Sequence, residues 1–279
     1  MRTLVHLSDL HFGRVDAALL EPLRRLVAHL APDVVVVSGD LTQRAKSAEF
    51  QAARAFLDTL PGPQIVVPGN HDIPLYNIAG RFLTPLMHYQ RYVTLDLAPE
   101  YVDEEIAVLG VNTARSMTFK DGRINAQQIA QLGQRLAALA PALTRIIVSH
   151  HPFDLPDALG ADKLVGRAPQ AMAAFAACGV DLLLAGHLHA SHAGDSAARY
   201  PMDGYAALVV QAGTATSTRG RGEANSFNAI RVEPERIAVD RYSWDDAAAD
   251  FLLAGTERFE RAGDVWSAAP RPESAPPQR

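Results

Sequence analysis

One cysteine in 279 residues excludes an intrachain disulfide. Cys178 ends an Ala-rich helical stretch and reads as a small buried hydrophobe. No apolar run approaches the ~18 residues that a membrane-spanning helix requires. The first apolar run follows Met1-Arg2-Thr3 directly, without a basic stretch leading into an apolar one, which predicts no secretory signal and a cytoplasmic location. Positive charge is not in excess: 26 Lys and Arg against 31 Asp and Glu leave a net charge of −5. That argues against a chain built for stable nucleic-acid binding. No internal duplication is visible. With 48% hydrophobic and 20% charged residues, the chain can bury a sizeable core.

What is present is an alternation of buried strands and amphipathic helices. Thr3-Leu4-Val5-His6-Leu7-Ser8 and the near-continuous β-branched run Asp33-Val34-Val35-Val36-Val37 read as strands, the second covered on both faces. Residues 17–30 and 47–60 carry helical periodicity, and Gln64-Ile65-Val66-Val67 is the next strand. Asp9 to Asp40 spans 31 positions and Asp40 to Asn70 spans 30. Each interval fits one βαβ unit of ~30 residues. Strands at 106–111, 145–148 and 181–185 alternate with helices at 126–139 and 169–178. From Tyr205 the period shortens towards two, and 207–210, 226–232 and 237–242 read as antiparallel strands. Segment 73–103, with Tyr76, Phe82, Tyr89 and Tyr92, reads as helix or loop over the edge of a site. The organisation expected is one domain over 1–261 and a disordered Pro-rich tail over 262–279. The fold class is α/β with α+β character: two sheets packed together, helices outside.

Five blocks follow those strands: Asp9-Leu10-His11, Gly39-Asp40, Gly69-Asn70-His71-Asp72, Ser149-His150-His151-Pro152 and Gly186-His187-Leu188-His189. Strand ends are where open α/β sheets build sites. Asp9 and His11 are two apart and, if extended, share a face; the same holds for His187 and His189. Phosphoester hydrolysis needs a strong nucleophile and relief of charge on phosphoryl oxygens. Two metals about 3.5–4 Å apart supply both. A bridging carboxylate would hold them together, and Asp40 is the candidate. Mixed nitrogen and oxygen donors without thiolate suit Mn, Fe, Zn or Co. Glycines 39, 69 and 186 are expected to permit tight backbone beside the metals.

In this order the blocks D-x-H, G-D, G-N-H-D, H and G-H-x-H resemble those of the calcineurin-like metallophosphoesterases, over roughly Leu4 to His189. Spacing and size resemble the bacterial branch of class III cyclic nucleotide phosphodiesterases and glycerophosphodiesterases. The resemblance implies a four-layer αββα sandwich with two mixed sheets face to face. It implies one metal held by Asp9, His11 and His189, a second by Asn70, His150 and His187, and Asp40 between them. It implies that His71 contacts the phosphate and protonates the leaving oxygen, so His71 and Asp40 are the catalytic candidates. Asp72 is expected to brace its loop, and His151 either supports the site or packs. Asn112, Arg115, Arg219 and Arg221 lie in loops and are candidates for substrate contact.

The expected activity is hydrolysis of small phosphodiesters, 3′,5′-cyclic nucleotides among them, by in-line attack of a hydroxide shared by two metals. The five blocks carry no Lys or Arg, which favours a monoanionic diester over a monoester dianion. A phosphomonoesterase, a DNA nuclease and a non-catalytic metal-binding scaffold remain as alternatives. The partner expected is a small phosphoester, with no membrane and no nucleic acid; the oligomeric state, a homodimer included, stays open.

Overall fold

A computed structural model describes residues 1–118, 120–156, 160, 163–219 and 222–270. Strand β1 (Arg2–Leu7), helix α1 (Ala17–Leu30), strand β2 (Val34–Val37), helix α2 (Ser47–Leu57) and strand β3 (Gln64–Val66) make two consecutive βαβ units. Their strands are parallel, with Leu4 opposite Val34 and Val35 opposite Gln64. The Asp16 carboxylate caps α1 by accepting from the Ala18 N–H at 3.0 Å.

Segment 73–103 is helix and loop, as expected, and ends in a short strand. It contains α3 (Ile78–Leu83), α4 (Met87–Tyr92) and β4 (Glu100–Val102). Two buried polar groups pin it. The Tyr89 hydroxyl donates to the Val66 carbonyl at 2.8 Å. The Arg81 guanidinium, 2% exposed, donates to the carbonyls of Pro74, Ser116 and Thr118.

A second alternation follows: β5 (Ile106–Gly110), α5 (Ala126–Ala137), β6 (Thr144–Val148), α6 (Ala168–Ala177) and β7 (Leu182–Ala185). Cys178 caps the C-terminus of α6 and is half-buried rather than buried. The remainder is β8 (His192–Asp195), β9 (Tyr205–Ala206), β10 (Leu208–Gln211), β11 (Ser226–Glu233), β12 (Arg236–Asp245), β13 (Asp250–Ala262) and β14 (Asp264–Ala268). One sheet has the order β3-β2-β1-β11-β12-β13-β14-β9, the other β4-β5-β6-β7-β10-β8. Both mix parallel and antiparallel pairs. Strand β10 is antiparallel to β8 yet parallel to β7, which the two-residue period could not reveal.

Side-chain alternation builds the layers. Leu4, Val34, Val36 and Ile65 point to one face of the first sheet and meet Val108, Ile146, Leu184 and Val210 of the second. Val5, Leu7, Val35 and Val37 point the other way, onto Leu23 and Val27 of α1 and Phe50 and Leu57 of α2. Leu109, Ile147 and Leu183 likewise face Leu132 of α5 and Phe175 of α6. The result is helix, sheet, sheet, helix. The parallel strands β1, β2, β3, β6 and β7 end on the edge where the five sequence blocks lie.

The expected tail boundary at 262 requires correction. Strand β13 runs to Ala262 and β14 adds residues 264–268 to the sheet. Trp266, 1% exposed, lies between the sheets, and its indole N–H donates to Asp181 at 3.0 Å. Val265 and Trp266, set among Ala, Asp and Ser and followed by a Pro-rich stretch, gave β14 the composition of a tail. Residues 271–279 lie outside the described residues. Trp266→Ala should lower unfolding free energy by about 3–5 kcal/mol, read by urea denaturation. A change below about 0.5 kcal/mol, the range of an ordinary surface substitution, would show that this strand does not close the sandwich.

Candidate metal centre

Five of the seven proposed ligands have left-handed backbone: Asp9 (φ 53°), His11 (φ 51°), Asp40 (φ 53°), His187 (φ 74°) and His189 (φ 57°). Such conformations cost roughly 1–3 kcal/mol each outside glycine. The two D-x-H and H-x-H segments are therefore not extended, as their spacing suggested. Beyond Leu7 the chain leaves its strand and turns along the neighbouring loop. The Asp9 N–H donates to the Gly39 carbonyl at 3.1 Å and the His11 N–H to the Asp40 carbonyl at 2.9 Å. These bonds hold the strain in place and turn both side chains into the seam between the sheets.

The histidines are tied from behind. Nδ1 of His150 lies 2.8 Å from the Ser38 carbonyl, and Nδ1 of His189 lies 2.5 Å from the Thr214 hydroxyl. His11 Nδ1 faces the Thr42 carbonyl at 3.4 Å. Each contact turns Nε2 to the centre. There, Asp9 Oδ1 stands 3.4 Å from both His11 Nε2 and His189 Nε2. Asp40 Oδ2 stands 3.7 Å from His11 Nε2 and 3.4 Å from His150 Nε2. Asn70 Oδ1 is 3.2 Å from His150 Nε2. His187 sits beside His150, with ring centroids 5.1 Å apart. All seven residues thus come together.

The donor atoms fit metal. Ligands each ~2.1 Å from one ion stand about 3–3.5 Å apart. Asp9, His11 and His189 meet at 3.4–3.5 Å, close to that spacing, and the donor atoms of Asp9, Asp40 and His150 lie within 4.8 Å of one another. Asp9 Oδ1 is buried and accepts no hydrogen bond, so its lone pairs point at space a cation would fill. Asp40 Oδ2 faces both the His11 side and the His150 side.

Electrostatics agree. Burial opposes ionisation of Asp9 and Asp40, but the surrounding imidazoles hold both carboxyls below the usual carboxylate range. Burial also opposes charge on His150, yet Asp40 and Asp9 push it up to about 9. Burial, with His150 beside it, drives His187 down to about 3. The buried anions therefore favour cations in their midst.

Backbone crowding explains two glycines. A Cβ on Gly69 would collide with Asp40 Oδ1, and one on Gly186 would collide with the Ser8 hydroxyl. Asp72 braces the loops as expected. Its carboxylate accepts from the N–H groups of Leu41, Thr42 and Gly69 at 3.2, 2.9 and 2.9 Å. His151 has both ring nitrogens engaged, with Thr113 Oγ1 at 2.8 Å and the Lys120 carbonyl at 3.0 Å. It packs against His150 and His187 and supports them.

His71 lies beside Asn70. Its N–H donates to Asp40 Oδ1 at 2.8 Å, and its Nδ1 lies 2.9 Å from the Gln43 carbonyl, so Nδ1 carries the proton. Nε2 then accepts from Arg219 Nη1 at 2.8 Å. Burial, with His11 and Arg219 adding to it, lowers the His71 pKa and keeps the ring neutral. In this tautomer Nε2 has no proton to give.

A cavity of about 400 Å³ opens over Asn70 and His71, and its walls include Arg14, Arg44, Lys120 and Arg219. The expectation of little cationic support is therefore corrected: loops outside the five blocks bring four cations to the mouth. Arg14 and Arg44 follow His11 and Asp40 closely in sequence, the one signal that could have found them. Asn112 and Arg115 go elsewhere. They line an adjoining, mostly apolar groove of about 630 Å³ that meets the mouth at Ile73. Asn112 Oδ1 accepts from the Ala114 N–H at 2.9 Å, and Arg115 donates to the Asn112 and Ala114 carbonyls and to Gln128. Arg221 lies outside the described residues.

The model of the calcineurin-like phosphoesterase family matches residues 2–191. The chain belongs to that family. This phosphoesterase is 30% identical over 268 residues to a cAMP/cGMP dual specificity phosphodiesterase of Mycobacterium tuberculosis, covering 84% of this chain and 77% of the relative. It is 27% identical over 175 residues to a glycerophosphodiester phosphodiesterase of Enterobacter lignolyticus, covering 56% and 59%. Among solved structures, a dimetal phosphatase of Danio rerio aligns with a TM-score of 0.64 at 15% identity, over 90% of this chain and 98% of that one. A purple acid phosphatase of yellow lupin aligns at 0.70 and 12% identity, over 93% and 54%. These two likenesses establish the fold. Membership makes the chain a metal-dependent phosphoester hydrolase; no helix among the described residues is long and apolar enough to cross a membrane.

Proposed function

We propose that the protein is a dinuclear-metal phosphodiesterase for small diesters, 3′,5′-cyclic nucleotides among them. The observation that carries the metal part is the buried, unbonded Asp9 Oδ1 set between His11 and His189, with Asp40 turned to both halves of the cage. The diester preference is supported by the mycobacterial relative, which aligns over most of both chains. Asp9, His11 and His189 would hold one ion, Asn70, His150 and His187 the other, and Asp40 both. Bound there, the metals supply Lewis acidity to the phosphoryl group and make water nucleophilic near neutral pH. Mn, Fe, Zn and Co all suit this donor set.

The protein's own residues orient the reaction. Nδ1 contacts at Ser38, Thr42 and Thr214 fix the rings, and the crowded glycine loops exclude bulk water from the carboxylates. Arg219 reaches the mouth aimed by His71, and among the described residues its guanidinium has no other hydrogen-bond partner, so its remaining N–H groups can meet phosphoryl oxygens. His71 accordingly acts by holding Arg219 on the phosphoryl group, in place of protonating the leaving oxygen. A cytoplasmic setting suits a small soluble diester.

Three outcomes test this reading. Asp40→Ala should lose both metals in elemental analysis of the purified protein, while Asn70→Ala should lose chiefly one. Retention of two tightly held ions by Asp40→Ala would remove it from the bridging position. His71→Ala should keep its metals and lose about 10²–10³ in kcat. The loss should be equal for alkoxide and p-nitrophenolate leaving groups. A much larger loss with the alkoxide would restore His71 as proton donor. With Mn²⁺ supplied, kcat/KM for bis-p-nitrophenyl phosphate should exceed that for p-nitrophenyl phosphate. Faster turnover of the monoester with every metal tried would make the protein a phosphomonoesterase.

A further inference from the structure

With two divalent ions bound, the carboxylates Asp9 and Asp40 and the hydroxide that attacks would leave the centre one surplus positive charge, which a diester monoanion neutralises. A phosphodiester brings one negative charge, and Arg219 already serves it. Arg14, Arg44 and Lys120 are then left over on the walls of the same 400 Å³ cavity. Among the described residues no Asp or Glu lines that cavity, and none of the three cations makes an ion pair with a carboxylate. Yet the chain as a whole is acidic, at −5. Gathering like charges around one cavity is unfavourable through mutual repulsion unless an anion enters it.

The Arg44 side chain is held in place, and the Lys120 backbone is anchored. Arg44 Nη1 donates to the Tyr76 hydroxyl at 3.1 Å, and its guanidinium lies 5.0 Å from the Tyr76 ring centroid. Its own backbone N–H is fixed by Glu49 at 2.7 Å. Lys120 is anchored through its carbonyl, which accepts from the His151 ring beside His150 and His187. Tyr76, although 76% exposed, therefore serves to hold Arg44 at the rim.

We infer that the rim of Arg14, Arg44 and Lys120 binds a second anionic group of the substrate, so that the preferred diester carries a further phosphate on one of its arms. This rests on the diesterase reading and names its substrate class. A cavity of this size suits a small molecule such as a phosphorylated nucleotide ester. Selectivity then comes from the rim, while the chemistry stays at the metals.

Two substrates differing in one phosphate test the assignment. Thymidine 5′-(p-nitrophenyl phosphate) and its 3′-phosphorylated counterpart share the scissile bond and the leaving group. With the metal-loaded protein, kcat/KM should be at least about tenfold higher for the 3′-phosphorylated diester, the worth of one charge-assisted contact. The advantage should lie in KM. In the Arg44→Gln/Lys120→Gln variant, with an unchanged melting temperature as the folding control, the ratio should fall to about one. Calorimetric titration should likewise show thymidine 3′,5′-bisphosphate binding more tightly than thymidine 5′-monophosphate, with the difference lost in the variant. Equal kcat/KM for the two diesters, or a preference that survives both substitutions, overturns the inference. Faster hydrolysis of a single-stranded oligonucleotide than of the 3′-phosphorylated diester would assign the rim to nucleic acid and also overturns it. Should neither diester react while p-nitrophenyl phosphate does, the diesterase reading fails, and the titration still decides whether the rim binds a second phosphate.

Discussion

Two carboxylates, Asp9 and Asp40, are buried together in the seam where the sheets meet, within reach of several imidazoles. Buried charge is tolerated only when it is paired or coordinated. Here the Nε2 atoms stand 3.4–3.7 Å from the carboxylate oxygens, too far for strong hydrogen bonds and at the right separation for a shared ion. The left-handed turns, the glycine contacts and the Asp72 brace all serve to hold these anions in that arrangement. The strain is local, and the packed sandwich beneath it supplies the stability that sustains it.

The two sheets divide the work. The first contributes Asp9, His11, Asp40 and Asn70 from the ends of β1, β2 and β3. The second contributes His150, His187 and His189 from the ends of β6 and β7. The inward faces of β1 and β2 and of β6 and β7 form one apolar core, so the register between the sheets also sets the distance between the two halves of the cage. Trp266 at the far edge of the first sheet reaches Asp181 before β7, tying that register from the opposite side. A site placed between layers is therefore as rigid as the core under it.

Around the cage, chemistry and recognition occupy different parts of the chain. The proposed ligands come from strand ends. The cations of the mouth come from loops, and Tyr76 on segment 73–103 holds one of them. The adjoining apolar groove is built mainly from that segment and from residues 112–116, pinned together by Arg81. Loops can diverge without disturbing the strand ends. The relatives' differing names, a cyclic nucleotide phosphodiesterase and a glycerophosphodiester phosphodiesterase, are in keeping with such variation.

The sequence alone determined the βαβ alternation, the five blocks and their order, and from these the fold family and the seven residues that gather at one edge. Those features are local: apolar runs, strand-end spacing and residue type are carried by short windows of sequence. Strand β14 read instead as the start of a tail, because two apolar residues in a short polar, Pro-flanked stretch hide a one-faced strand. Treating Asp9 to His11 as extended failed for a related reason: the left-handed turn is enforced by hydrogen bonds to Gly39 and Asp40, some 30 residues away. Only the tertiary structure decided that Arg14, Arg44, Lys120 and Arg219 share one cavity while Asn112 and Arg115 line another. Loop side chains carry no periodicity, and their positions are fixed by packing between segments far apart in the chain. Charge counted along the sequence comes to −5, with no cations in the motifs; charge counted in space makes a basic mouth.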